Sequence, residues 1–132
     1  MIVVDTNVVA YLFLEGERTA QAERILRRDP EWAAPLLWRS ELRNILASYV
    51  RRGALALELA QRIAAEAEAL LRGKEYAVRT DHVLAASAAS GCTAYDCELA
   101  VLAEAIGVPL VTADKKLVAA FPRVAHRMES WA

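Results

Sequence analysis

A chain of 132 residues, 56% of them hydrophobic, fits one domain over 1–132 with a real core. Its 25% charged residues and net charge of −1 exclude a disordered chain and lack the basic excess of a free-standing polyanion binder. Two cysteines make no disulfide framework or zinc site, Asp5 breaks the apolar start too early for a signal peptide, and no run reaches the ~20 apolar residues of a membrane span, so a reduced, cytoplasmic protein without a membrane partner is expected.

In chain order, 1–4 is an apolar, β-branched run that reads as a buried first strand ending at Asp5. Asp5-Thr6-Asn7 supplies capping residues for a helix over 8–14. After the polar break at 15–18, 20–28 is an amphipathic helix with Ala22, Ile25 and Leu26 inward. Asp29-Pro30 makes a turn, and 32–34 is a short second strand closed by Pro35. Leu42, Ile45, Leu46 and Tyr49 form one stripe of a helix over 37–51, with Glu41 in its opening turns. A long alanine-rich helix over 55–71 ends at Gly73, and 76–78 is a third, edge strand. Thr80 is the expected cap of a helix that runs to Ser90.

The next stretch carries most of the information. Thr93 is an N-cap, and Asp96 lies three residues later, the capping-box spacing that favours an acid in the first turn. Leu99, Leu102, Ala103 and Ile106 recur at helical spacing until Gly107 and Pro109 stop the helix. Leu110-Val111-Thr112 is a buried-type strand, and Asp114 follows where it stops. A short helix over 115–121 and a last strand over 124–127 complete the chain.

Alternating strands and helices imply an α/β fold, a three-layer α/β/α sandwich around a mostly parallel, five-stranded sheet. Connections of one hand bring the strands' C-terminal ends to one edge. Asp5, Glu41, Asp96 and Asp114 are then expected to face that edge together. Four carboxylates in one cleft repel one another unless a cation is present, and hard oxygen donors select Mg²⁺ or Mn²⁺. Such an ion activates water and stabilises charge on a phosphoryl group, the requirements of phosphodiester hydrolysis. With those four acids assigned to a metal, the remaining charge is mildly basic, which permits RNA binding.

Ile2-Val3-Val4-Asp5-Thr6-Asn7, Glu41, Thr93-Ala94-Tyr95-Asp96-Cys97-Glu98-Leu99-Ala100 and Leu110-Val111-Thr112-Ala113-Asp114-Lys115-Lys116-Leu117 together resemble a PIN-domain ribonuclease, more narrowly the toxin of VapBC-type toxin–antitoxin pairs. The resemblance spans nearly the whole chain. It implies a metal-dependent endoribonuclease acting on transfer, ribosomal or messenger RNA, inhibited by a cognate antitoxin protein and usually a homodimer. By position it makes Asp5, Asp96 and Asp114 metal ligands, Glu41 a ligand or the residue orienting the attacking water, and Thr112 a supporting hydroxyl. Cys97 stands where the family usually has a small residue such as alanine.

Taken singly, Asp5, Asp96 and Asp114 are helix caps and Glu41 is a solvated helix residue; only their joint placement favours chemistry. Glu98, two residues beyond Asp96 on a helix, points to another face. His82 and His126 are lone histidines expected in structural or surface roles, and Asp81 a helix-dipole partner. Arg39, Arg43, Arg51 and Arg52 either meet RNA phosphates or lie on a solvated face. Trp32, Trp38, Leu36 and Leu37 read as core, or as a docking groove. Two other functions compete: a PIN-fold module that binds RNA or antitoxin without strong catalysis, and an aspartate-dependent phosphatase, which wants a second Asp where this chain has Asn7.

Overall fold

The structure, a computed structural model, describes residues 1–132. Strand β1 (Ile2–Val4) leads through helices α1 (Thr6–Phe13) and α2 (Thr19–Arg28) to β2 (Trp32–Pro35). Helices α3 (Trp38–Arg51) and α4 (Leu57–Leu70) precede β3 (Glu75–Tyr76). Then follow α5 (Thr80–Ser90), α6 (Ala94–Ile106), β4 (Leu110–Thr112), α7 (Lys115–Ala120), β5 (Ala125–Arg127) and α8 (Met128–Trp131). The strands form one sheet in the order β3-β2-β1-β4-β5, and every neighbouring pair is parallel. No helix is long and apolar enough to cross a membrane.

Strand alternation builds the layers. Ile2 and Val4 face one way and pack with Trp32, Ala34 and the inner faces of α1 to α4, while Val3, Ala33 and Leu110 face the other way onto Ala100, Leu102 and Ala103 of α6. Both faces of the sheet are covered, so β1 is apolar throughout and β4 is apolar up to Thr112 rather than alternating, and β1, β2 and β4 are buried along their length. This is the expected α/β/α sandwich, with a sheet that is wholly parallel.

The chain grows from β1 outward to β2 and β3, then returns to place β4 on the other side of β1. That reversal opens a crevice between the C-terminal ends of β1 and β4, the usual ligand position in an open parallel sheet. Gly107, at φ 70°, ends α6 in the left-handed conformation and turns the chain into β4.

Local details depart from the sequence reading. Strand β3 is Glu75–Tyr76 rather than 76–78, because it pairs only with Ala34 and Pro35 of β2, and α4 begins at Leu57 rather than at 55. Helix α1 begins at Thr6, because Asp5 itself is the cap. Thr80 is the first residue of α5 rather than its cap; Arg79 holds that position and bonds Asp81 with its guanidinium at 2.7 and 3.1 Å. A short C-terminal helix, α8, was not expected. It buries Met128 completely, and the Trp131 indole N–H donates to Asp29 Oδ2 at 2.7 Å while Arg28 lies over the Trp131 ring.

Candidate active site

Asp5 ends β1 and caps α1 with the same carboxylate. The Val8 N–H donates to Oδ1 at 3.0 Å, and Oδ2 accepts from the Thr112 hydroxyl and from the Ala113 N–H at 3.2 Å. Asp5 is buried, and burial pushes its carboxyl above the ordinary aspartate range; those three donors and the nearby Asp114 modify the shift without reversing it. Thr112, at the end of β4, thus bonds Asp5 directly, and its hydroxyl oxygen also accepts from the Asp114 N–H at 3.0 Å. One threonine ties the ends of β1 and β4 together.

Asp114 caps α7, its Oδ1 accepting from the Lys116 N–H at 2.8 Å. Asp96 lies in the first turn of α6, where the Thr93 hydroxyl oxygen accepts its N–H at 3.2 Å, as the capping pattern required. Glu41 lies in the first turn of α3, and the Thr6 hydroxyl donates to its Oε1 at 2.8 Å. All four acids line one cleft of about 250 Å³.

Thr6, Asn7 and Asn44 add neutral polar atoms to the walls, Ile45, Leu99 and Leu117 form the apolar part, and Tyr95 stands at the rim. No lysine or arginine lines the cleft. The sequence marks Thr6 and Asn7 as capping residues and as part of the family motif, includes Tyr95 in that motif without a role, and gives no sign of Asn44. The one signal of a site role for Thr6 was a hydroxyl directly after the strand-ending acid; nothing local marks such a role in the others.

The acids share a cleft but do not close into a ready cage, for no three acidic, histidine or cysteine side chains stand close enough to grip one ion directly. Asp5 spends both oxygens on protein donors, and Glu41 accepts from Thr6. The donor set still fits a hard divalent cation. It is all oxygen, it concentrates negative charge with no cation to neutralise it, and Mg²⁺ typically takes one or two carboxylates and keeps several waters.

The remaining candidates separate from the cleft. Glu98 points into a neighbouring apolar pocket with Leu36, Tyr76 and Val83, where burial, and secondarily Glu41, pushes its carboxyl up. Arg39 is bound to Glu75 and Glu68 rather than presented to a ligand. His126 packs its ring against Trp131, 5.0 Å between centroids. Trp32 and Trp38 are core, Leu36 is exposed, and Cys97 is buried, which raises its thiol above the usual range.

A parallel α/β domain with an acidic crevice where the strand order reverses defines a class of protein rather than a member of it. Residues 2–126 match the PIN domain family, and the chain belongs to that family. It is 33% identical over 124 residues to Ribonuclease VapC3 of Pyrobaculum aerophilum, covering 92% of this chain and 95% of that protein. A crystal structure from the same organism superposes with a TM-score of 0.77 at 25% identity, over 98% of this chain and 91% of the other. At 19% identity, a toxin–antitoxin complex from Klebsiella pneumoniae shares the fold with a TM-score of 0.71, over 97% of this chain and 98% of the other. FitAB bound to a DNA fragment shares it at 0.73, over 100% and 96%, also at 19% identity.

Proposed function

We propose that the chain is a metal-dependent endoribonuclease, the toxin of a type II toxin–antitoxin pair, with Mg²⁺ or Mn²⁺ as its cofactor. The observation that carries this reading is the convergence of Asp5, Glu41, Asp96 and Asp114, from four separate elements, on a cleft without a single cationic side chain. The similarity to a protein named as a ribonuclease supports the choice of RNA over other phosphodiesters.

In this reading Asp5, Asp96 and Asp114 hold the cation, and Glu41 either joins them or orients water. When bound, a divalent cation lowers the pKa of a water and offsets charge on the phosphoryl group. The protein's part is positional. Thr112 sets the Asp5 carboxylate against the end of β4, and Thr6 aims Glu41 into the cleft. Water attack at phosphorus that breaks the P–O3′ bond leaves 5′-phosphate and 3′-hydroxyl ends, and no 2′,3′-cyclic phosphate forms because no 2′-oxygen takes part.

Two partners belong to the proposal. An antitoxin fits the apolar groove that continues from the acid cleft, through Asn7 and Ile45, along Tyr11, Leu14 and Tyr49 to Leu55, Leu59 and Ile63. Such a groove takes an amphipathic helix, and an arginine from the same partner would neutralise the acids. A second copy of the chain fits α5, which carries no charge between Val83 and Gly91 and leaves Leu84 61% exposed.

The test is cleavage of end-labelled single-stranded RNA with Mg²⁺ or Mn²⁺. Activity should vanish in EDTA, and Asp5→Asn, Glu41→Gln and Asp96→Asn should each lower it by more than about 100-fold, beyond what loss of an outer-shell partner costs. Cleavage that persists in chelator, or products with 2′,3′-cyclic phosphate, would overturn the mechanism.

A further inference from the structure

Tyr95 is a large apolar-faced side chain left 66% exposed, and it borders the acid cleft one residue before Asp96. Its ring stacks on no other ring and carries no guanidinium over its face, although Tyr11, Tyr49 and Trp131 all do. It stands in the first turn of α6, an element held by the Thr93 cap and by full burial of Cys97 and Ala103, so the ring is carried on a rigid support. The lining of the cleft beside it has no lysine or arginine to hold a nucleic-acid backbone, and Asn7 and Asn44 are among its polar residues. Within the cleft itself, an exposed aromatic face offers a contact to a base where no cationic side chain offers one to a phosphate.

We infer that Tyr95 is a stacking platform for one unpaired base next to the scissile phosphate, with the amides of Asn7 and Asn44 within the same cleft available to that base's polar edge. This rests on the ribonuclease reading and adds to it one residue, outside the acid set, that positions the substrate beside the cut. A base inside a duplex is already stacked on both faces and cannot lie on the ring, whereas looped and single-stranded bases are recognised in this way. Stacking needs the aromatic face and not the hydroxyl, which gives the inference a signature of its own.

The experiment measures kcat/KM on a mixed-sequence single-stranded RNA oligonucleotide, on the same strand annealed to its complement, and on a version with an abasic ribose beside the mapped cut. Wild type should prefer the single strand by at least about tenfold, and Tyr95→Ala should lose about 5- to 150-fold on it, the span of one base–aromatic stack. Tyr95→Phe and Tyr95→Trp should stay within about threefold of wild type, and the abasic substrate should cost wild type as much as Tyr95→Ala does while costing Tyr95→Ala nothing further. The Mn²⁺ affinity of Tyr95→Ala should equal that of wild type, which separates stacking from displacement of Asp96. Wild-type cleavage with an unimpaired Tyr95→Ala overturns the inference alone. So does a Phe variant as poor as Ala, or a Tyr95→Ala whose loss tracks a change in oligomeric state. Failure of wild type to cut any RNA overturns the ribonuclease reading, and this inference with it.

Discussion

Asp5 does three jobs with two oxygens: it caps α1, bonds the end of β4 and faces the cleft. Burial holds its carboxyl above the ordinary range, so its protonated form favours the fold and stability is lost as pH rises through its folded pKa. Above that pKa the ionised group is a cost that a bound cation relieves. Asp5→Asn should therefore be inactive, and without divalent ions its stability should lack the part of the wild type's decline with rising pH that comes from Asp5. Mg²⁺ should raise the wild-type Tm and leave the variant's unmoved; equal shifts would dissociate Asp5 from the ion. Asp5→Ala, which keeps no cap, should lose about 1 kcal/mol, measured by urea denaturation. Glu75 has the opposite sign. The Arg39 fork, then the Trp38 indole N–H, hold its carboxyl below the usual 4.5 against the effect of burial. Its contribution is present above that ordinary value and lost as pH falls through the lowered one. Melting curves of wild type and Glu75→Gln should differ by about 1–3 kcal/mol at pH 7 and converge once the pH has fallen through the lowered Glu75 pKa; a gap that persists in stronger acid would mean that the ion pair contributes nothing.

At the scale of elements, α3 starts without a side-chain cap, and Leu37 at its N-cap offers no acceptor. The first turn is instead pinned from β3, where Glu75 accepts from Trp38 at 2.6 Å and from Arg39 at 2.6 and 2.9 Å. That turn also carries Glu41, so an edge strand of two residues helps to aim an acid of the cleft. Helix α8 closes the opposite side: Met128 is fully buried among residues of the larger core cluster. Met128→Ala should cost about 2–5 kcal/mol, the range for deleting a buried long side chain, with no direct effect on cleavage by the folded fraction. A loss below 1 kcal/mol in chemical denaturation would show that α8 is ornamental to the core. Sequence reasoning found neither device. A four-residue helix carries too little periodicity to register, and a side-chain anchor on a strand 36 residues away leaves no mark in the local window.

For the whole molecule, the fold leaves two apolar surfaces on different elements, the groove along α1, α3 and α4 and the face of α5. With an antitoxin on the first and a second copy on the second, substitutions should separate them. Leu84→Glu should turn a dimer into a monomer by light scattering and keep antitoxin binding, whereas Leu59→Glu should weaken antitoxin capture about tenfold or more and keep the dimer. If either variant moves both properties together, the two surfaces are one interface.

Periodicity and punctuation in the sequence were enough to determine the element types and the α/β layering, because a buried parallel strand and a half-buried helix have different repeats over a few residues. The acids at strand ends and helix starts were legible for the same reason: caps and terminators are local. Only the tertiary structure decided that β4 returns to lie beside β1, that Thr6 bonds Glu41 and Thr112 bonds Asp5, that Arg39 turns to Glu75 rather than to a ligand, and that the carboxylates share a cleft without closing into a cage. Those outcomes depend on contacts between residues 35 to 107 apart, where shape, burial and charge repulsion act across the folded chain and no short window holds both partners.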